Sequence, residues 1–237
     1  DVALDDTVLY EELGGIWKLS ELEELGKSKK DASLMQLSFW VLYDEARKEY
    51  IDTGCWADLD TGEVLMSYNY RPLKSLKYVK QDDSVFGVAK VPSAVFYPGD
   101  GNVRVRWDGA QIRGYEKSDY DAVFAHAITS VKQEAKAVKN FLKNAMTQPM
   151  FIKLIAFDQI GKTGESYVLA DKNGGTVLLG NMPGMEDTIL RLSILPDSTL
   201  FENQVLLGAF YYDRGSRRLK VQPLSIITHD TVVRLLY

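Results

Sequence analysis

Beyond Pro149 the chain breaks into seven short apolar runs: FIKLIAF, ESYVLAD, GTVLLG, TILRLSIL, QVLLGAFYYD, RLKVQPLSII and TVVRLLY. Turn chemistry separates them, as in Asp171-Lys172-Asn173-Gly174-Gly175 and Asp213-Arg214-Gly215-Ser216. Six or seven strands packed so closely must curl into a small barrel or sandwich, because a flat sheet of short strands would leave its edges open. Residues 148–237 are therefore expected to form a compact barrel-like β domain of OB-like character.

The first part of the chain reads as a β-meander behind an acidic helical start. LYEELGG and WKLSELEELGKSKK carry Trp17, Leu19, Leu22 and Leu25 near helical spacing. LMQLSFWVLY, EYIDTGCWADL and EVLMSYNY follow as strands, joined through DEARK and Asp60-Thr61-Gly62; AVFYPG and NVRVRWDG read as shorter ones. Between the two β regions, Phe124, Ile128, Val131, Ala135, Val138, Leu142 and Ala145 recur at three- and four-residue spacings. That stripe predicts one long helix over 119–147, capped by Asp119 or Asp121 and ended by Gln148-Pro149. The expected class is α+β, mostly β, divided as 1–118, 119–147 and 148–237.

Charge is unevenly spread. Residues 1–66 carry 6 Lys/Arg against 16 Asp/Glu, residues 67–147 carry 13 against 8, and the remainder carries 9 of each. A net −5 chain is not drawn to nucleic acid by its overall field, but its middle third could be. The single cysteine, Cys55, excludes an internal disulfide framework and fits a reducing cytoplasm. With two histidines, His126 and His229, it leaves too few ligands for an all-protein zinc site. No apolar run approaches the ~20 residues of a membrane span, so no membrane partner is expected.

Motifs that would carry chemistry fail on their surroundings. Gly161-Lys162-Thr163 ends a near match to a phosphate-binding P-loop, with Ala156 where the first glycine belongs. The loop needs a helix beginning at its lysine, whereas Gly164 and a strand-like run follow here, so a hairpin turn is expected. Asp58-Leu59-Asp60-Thr61-Gly62-Glu63 is half a calcium loop, better read as a turn between strands. Cys55 among Trp56 and Ala57 on a strand is expected to be a core thiol rather than a nucleophile paired with His126. No catalytic residue and no cofactor are expected.

Three basic sets remain. Arg71, Lys74, Lys77 and Lys80 are interleaved with Tyr68, Tyr70 and Tyr78. Arg104 and Arg106 alternate with Val103, Val105 and Trp107, so a strand would put both arginines on one face. Lys132, Lys136, Lys139 and Lys143 lie one position on from the apolar helical stripe and should rim its buried face. Cations beside aromatic rings are what a single-stranded nucleic-acid groove uses; solvated faces with lysine stems over core edges would look the same in sequence.

VFYPGDGNVRVRW, the helix-forming segment, SYVLADKNGGTVLLG and QVLLGAFYYDRGSRRLKVQPLSII together resemble the region after the zinc finger in bacterial SWIM zinc-finger family proteins. The matching residues are Tyr97-Pro98, Leu169-Ala170-Asp171 with Gly175, and Gly208 with Phe210 and Pro223-Leu224-Ser225. The Cys-x-Cys and Cys-x-His signature of that family is absent. The resemblance implies a non-enzymatic accessory module of the bacterial cytoplasm. Its implied partners are proteins, such as a MoxR-type AAA+ ATPase or a von Willebrand A domain protein. The alternative expectation is nucleic-acid binding through Arg71, Lys74, Lys77, Tyr78, Arg104, Arg106, Lys132, Lys136 and Lys139.

Overall fold

The computed structural model describes Tyr10 and residues 16–73, 84–143 and 149–237. After a short helix α1 (Leu19–Glu24) come β1 (Ser28–Asp44), β2 (Glu49–Asp58), β3 (Val64–Pro72), β4 (Val88–Phe96), β5 (Val105–Arg106) and β6 (Gln111–Arg113). These form one antiparallel sheet in the order β3-β2-β1-β4-β5, with β6 also on β4. β5 pairs with β4 while its neighbour Arg104 bridges Met66 of β3, so the sheet curls back onto its own first edge. Ala32, Leu34, Leu65, Ala89, Val91 and Val105 fill its inside.

Helices α2 (Lys117–His126) and α3 (Val131–Leu142) lead to the second sheet. It contains β7 (Met150–Ala156), β8 (Gln159–Thr163), β9 (Ser166–Ala170), β10 (Thr176–Leu179), β11 (Val205–Asp213), β12 (Arg218–Ile227) and β13 (Val232–Arg234). The order is β7-β11-β12-β10-β9-β8, with β13 on β12, and the β10–β12 pairing is parallel. The protein is thus α+β and mostly β, with antiparallel sheets and a barrel-like C-terminal part.

The long unbroken apolar runs have a simple cause: their strands are buried on both faces. In β11, Val205, Leu207 and Ala209 face the first sheet, while Leu206 and Phe210 face the inside of their own. The core between the sheets draws Met35, Leu37, Cys55 and Met66 from one side and Ile152, Leu154, Val205 and Leu224 from the other. Polar stitching runs through it. Buried Asn102 donates to the Val64 and Ile152 carbonyls and accepts from the Ile152 N–H at 2.6 Å, while the Ser225 hydroxyl donates to the Leu37 carbonyl at 2.6 Å. The three-part division of the chain is therefore not a division of the core.

Two elements differ from the sequence reading. The long helix over 119–147 is two helices within the described residues. Ala127 turns to extended backbone (ψ 138°), Ile128 makes a parallel bridge to Ile155 of β7, and Ser130 caps a new start. Its N–H bonds to Leu154 and the bond from Ala156 back to its carbonyl compete successfully with continued helix. The apolar spacing survives the interruption because Ile128 fills its place in the core from an extended conformation. Helix α2 is capped by Glu116, with Asp119 accepting from the Glu116 N–H, rather than by Asp119 or Asp121. TILRLSIL, read as a strand, is instead α4 (Thr188–Ser193), because the Asp187 carboxylate accepts from the Leu190 N–H and caps it.

Candidate functional site

The lysine stripe forms one wall of an open cleft of about 1220 Å³. Lys132, Lys136 and Lys139 of α3 face the β9–β10 turn and the end of the β11–β12 hairpin, which brings Tyr212, Arg217 and Arg218. Val131, Val138 and Leu142 pack into the core, which leaves the lysines one position on along the exposed rim. Among the described residues five cations therefore line the cleft, and no carboxylate does. Among the described residues none of the five has a carboxylate partner. The neighbouring carboxylates are engaged elsewhere: Glu134 on Lys153 at 3.2 Å and Asp213 on Lys220 at 2.6 Å. Hydrogen bonds from Lys220, Ser216 and Gly215 hold the Asp213 carboxyl well below the usual carboxylate range, so it stays charged and bound to Lys220.

The opposite wall is fixed by one buried residue. Asp171 accepts from the Val131 N–H at 2.8 Å with one oxygen, and from the Asn173 and Gly175 N–H groups at 2.8 Å with the other. It thereby ties the start of α3 to the β9–β10 turn, at a helix end that favours negative charge. A Cβ at Gly175 would lie 2.4 Å from that carboxylate, so the turn requires glycine. The Asn173 amide adds a bond to the Thr129 carbonyl. Asp171 and Gly175 thus fix the start of α3 against the β9–β10 turn.

The other predicted residues are divided. Lys74, Lys77 and Tyr78 lie outside the described residues. Arg71 forms a bidentate pair with buried Asp52 at 2.6 Å for both bonds, and its guanidinium lies 5.5 Å from the Tyr50 ring, so it acts as a structural tie. Arg104 lies among Tyr97, Tyr70 and Tyr68, and Arg106 is exposed, while Val103, Val105 and Trp107 pack inward as alternation requires. Both arginines line a separate cavity at the mouth of the first sheet, apart from the α3 lysines. Arg217, Arg218 and Tyr212 were not singled out in sequence. They stand beside the turn signal Asp213-Arg214-Gly215-Ser216, and the basic cluster around that turn was the available signal.

The rejected motifs are resolved by geometry. Gly161-Lys162-Thr163 is the end of β8, and Gly164 (φ +61°) and Glu165 make a two-residue turn into β9. The Lys162 ammonium lies 4.8 Å from the Tyr167 ring, not at a helix start. Asp58 and Asp60 hold Lys29 at 2.7 and 2.8 Å, and the Gly62 N–H closes the turn on the Asp58 carbonyl. Cys55 is fully buried, which pushes its thiol far above the ordinary range, whereas His126 is exposed. Among the described residues no group of three or more His, Cys, Asp or Glu is placed to hold a metal, and no helix is long and apolar enough to cross a membrane.

No protein-family model matches the chain, and no curated protein matches it. Among solved structures it is similar to the p204 HINb domain at 10% identity, covering 83% of this chain and 94% of that one with a TM-score of 0.29. A murine DNA binding protein bound with double-stranded DNA shows 11% identity, 87% and 96% coverage and a TM-score of 0.30. The Cpx pathway activator NlpE from Escherichia coli shows 12% identity, 78% and 91% coverage and a TM-score of 0.22. Scores this low leave the functional reading to rest on the cleft itself.

Proposed function

We propose that this chain is a non-enzymatic binding module that holds single-stranded nucleic acid in the cleft between α3 and the β9–β10 and β11–β12 hairpins. The observation that carries this reading is five cations on a concave surface that, among the described residues, have no carboxylate partner and no carboxylate beside them. Such a field concentrates a polyanion, and each phosphate contact releases condensed counterions. Lys132, Lys136 and Lys139 extend about 10 Å along the helix axis, a backbone track rather than a point site. Arg217 and Arg218 contact phosphate from the facing wall, and Tyr212, half-exposed at the rim, offers a ring for a base to stack on. The cleft also exceeds the roughly 300–1,000 Å³ usual for small-molecule pockets, which favours a polymer.

The test is binding of a labelled mixed-sequence single strand to three proteins. The wild type and a Lys27→Ala/Lys30→Ala control should bind equally. A Lys136→Ala/Lys139→Ala/Arg217→Ala/Arg218→Ala variant should bind at least about tenfold more weakly, a loss of about 1.4 kcal/mol or more. Equal binding by all three would reject the cleft.

A second reading, docking of a protein partner in the cytoplasm, draws on the SWIM resemblance and on one surface feature. Leu190 on α4 and Ile194 at its C-cap, four residues apart and 59% and 71% exposed, form an apolar ridge. Under that reading Leu190→Ser/Ile194→Ser abolishes partner capture while strand binding is unchanged.

A further inference from the structure

The cavity at the mouth of the first sheet lies outside that account. It measures about 690 Å³, within the range of small-molecule pockets, and its walls are aromatic. Trp56 and Trp107 meet edge-on, with ring centroids 5.1 Å apart, and the Trp56 Nε1–H donates to the Ser67 hydroxyl at 2.8 Å. Phe39, Tyr68 and Tyr70 add further rings to the lining. Among the described residues three charged ones reach it: Asp52, Arg104 and Arg106. Asp52 is spent, since both its oxygens accept from Arg71. The Arg104 guanidinium lies 4.2 Å from the Tyr97 ring centroid, with Tyr70 and Tyr68 at 5.8 and 5.9 Å. Neither Arg104 nor Arg106 has a carboxylate partner among the described residues.

Two guanidinium groups with no carboxylate partner among the described residues, set at an aromatic cavity, select a particular chemistry. The rings favour a planar apolar body, and the guanidinium forks favour a phosphate or carboxylate held by paired N–H donors. From this juxtaposition we infer that the mouth of the first sheet is a second, independent binding site, for a small ligand consisting of a planar ring that bears one anionic group. Such a ligand could be an aromatic phosphate or an aromatic carboxylate, and the two sources are distinguished by the probes.

The experiment is tryptophan fluorescence titration with AMP and with benzoate, with adenosine and inorganic phosphate as controls. At least one of the two ring-bearing anions should quench saturably, and each control should bind at least about tenfold more weakly. AMP alone would identify the phosphate class, benzoate alone the carboxylate class, and equal quenching by both a site that holds either anion. Trp107→Phe should remove most of the quench. Arg106→Gln, at an exposed position outside the tyrosine cluster, should raise Kd at least about tenfold, and Arg104→Gln likewise if the rings stay in place. The quadruple variant of the α3 cleft should keep the wild-type Kd, so this site stands or falls separately from strand binding. Absence of saturable quenching by either anion would overturn the inference. So would phosphate binding as tightly as AMP, an unchanged Kd in Arg106→Gln, or loss of binding in the cleft variant.

Discussion

Asn102 is the residue on which the two sheets meet. Its side chain makes three hydrogen bonds, one to β3 and two to the Ile152 backbone of β7. Replacing it with Ala strands buried backbone groups, each worth about 1–3 kcal/mol, so Asn102→Ala should cost at least 2 kcal/mol or so in denaturant unfolding. A cost near zero would mean that water replaces the amide. Asp119 carries the acid dependence. Burial pushes its carboxyl up, but the two Arg113 bonds and the Glu116 N–H outweigh that and hold it below its ordinary 3.8. A carboxylate depressed in the folded state contributes stability above its unfolded value and loses it as pH falls through the folded one. Asp119→Asn should therefore lower Tm most near neutrality, and the gap to wild type should narrow as pH falls below 3.8. A gap constant from neutral to acid pH would remove Asp119 from this role. Neither residue announced itself in the sequence. Asn102 stood at the head of NVRVRWDG, read as a short strand, and Asp119 read as a cap, because long-range partners leave no local pattern.

At the scale of elements, what sequence reveals is periodicity, and what it hides is competition for backbone hydrogen bonds. The strands were legible because two-sided burial forces continuous apolar runs bounded by turn residues. The hairpin at Gly164 was legible because a helix start was chemically impossible there. The break at Ala127–Ser130 was not, since Ile128 keeps the helical spacing of apolar residues while bonding to Leu154 and Ala156 as a strand would. The stripe's energetics follow the second helix alone. Val138→Ala should cost about 1–3 kcal/mol, since Val138 is fully buried, whereas Gln133→Ala on the exposed face should cost almost nothing. Equal small effects at both sites would show that α3 does not pack as described. Asp171→Ala should release the start of α3 from the β9–β10 turn and weaken strand binding together with stability. Stability lost with binding intact would detach the cleft's geometry from its proposed role.

For the whole molecule, the shared core makes the two sheets one cooperative unit, and the placement of charge decides what that unit can hold. Most cations with a nearby acid are used internally, as in Lys29 with Asp58, Arg71 with Asp52, Arg113 with Asp119 and Lys220 with Asp213. Among the described residues the five at the α3 cleft have no such acid, and the proposed strand would supply the negative charge. The lysine side of that cleft was visible in sequence as a stripe on a helix. The arginine side was not, because Arg217 and Arg218 come into position only when β12 pairs with β10. The most direct test is the salt dependence of single-strand affinity, measured by anisotropy between about 50 and 200 mM salt on the wild type and the quadruple cleft variant. Four or five phosphates neutralised on a single strand predict a slope of log K against log salt of about −3, at roughly −0.7 per phosphate. The variant should bind more weakly, with a slope no steeper than about −1. Affinity indifferent to salt, or identical slopes in the two proteins, would contradict a phosphate-holding cleft.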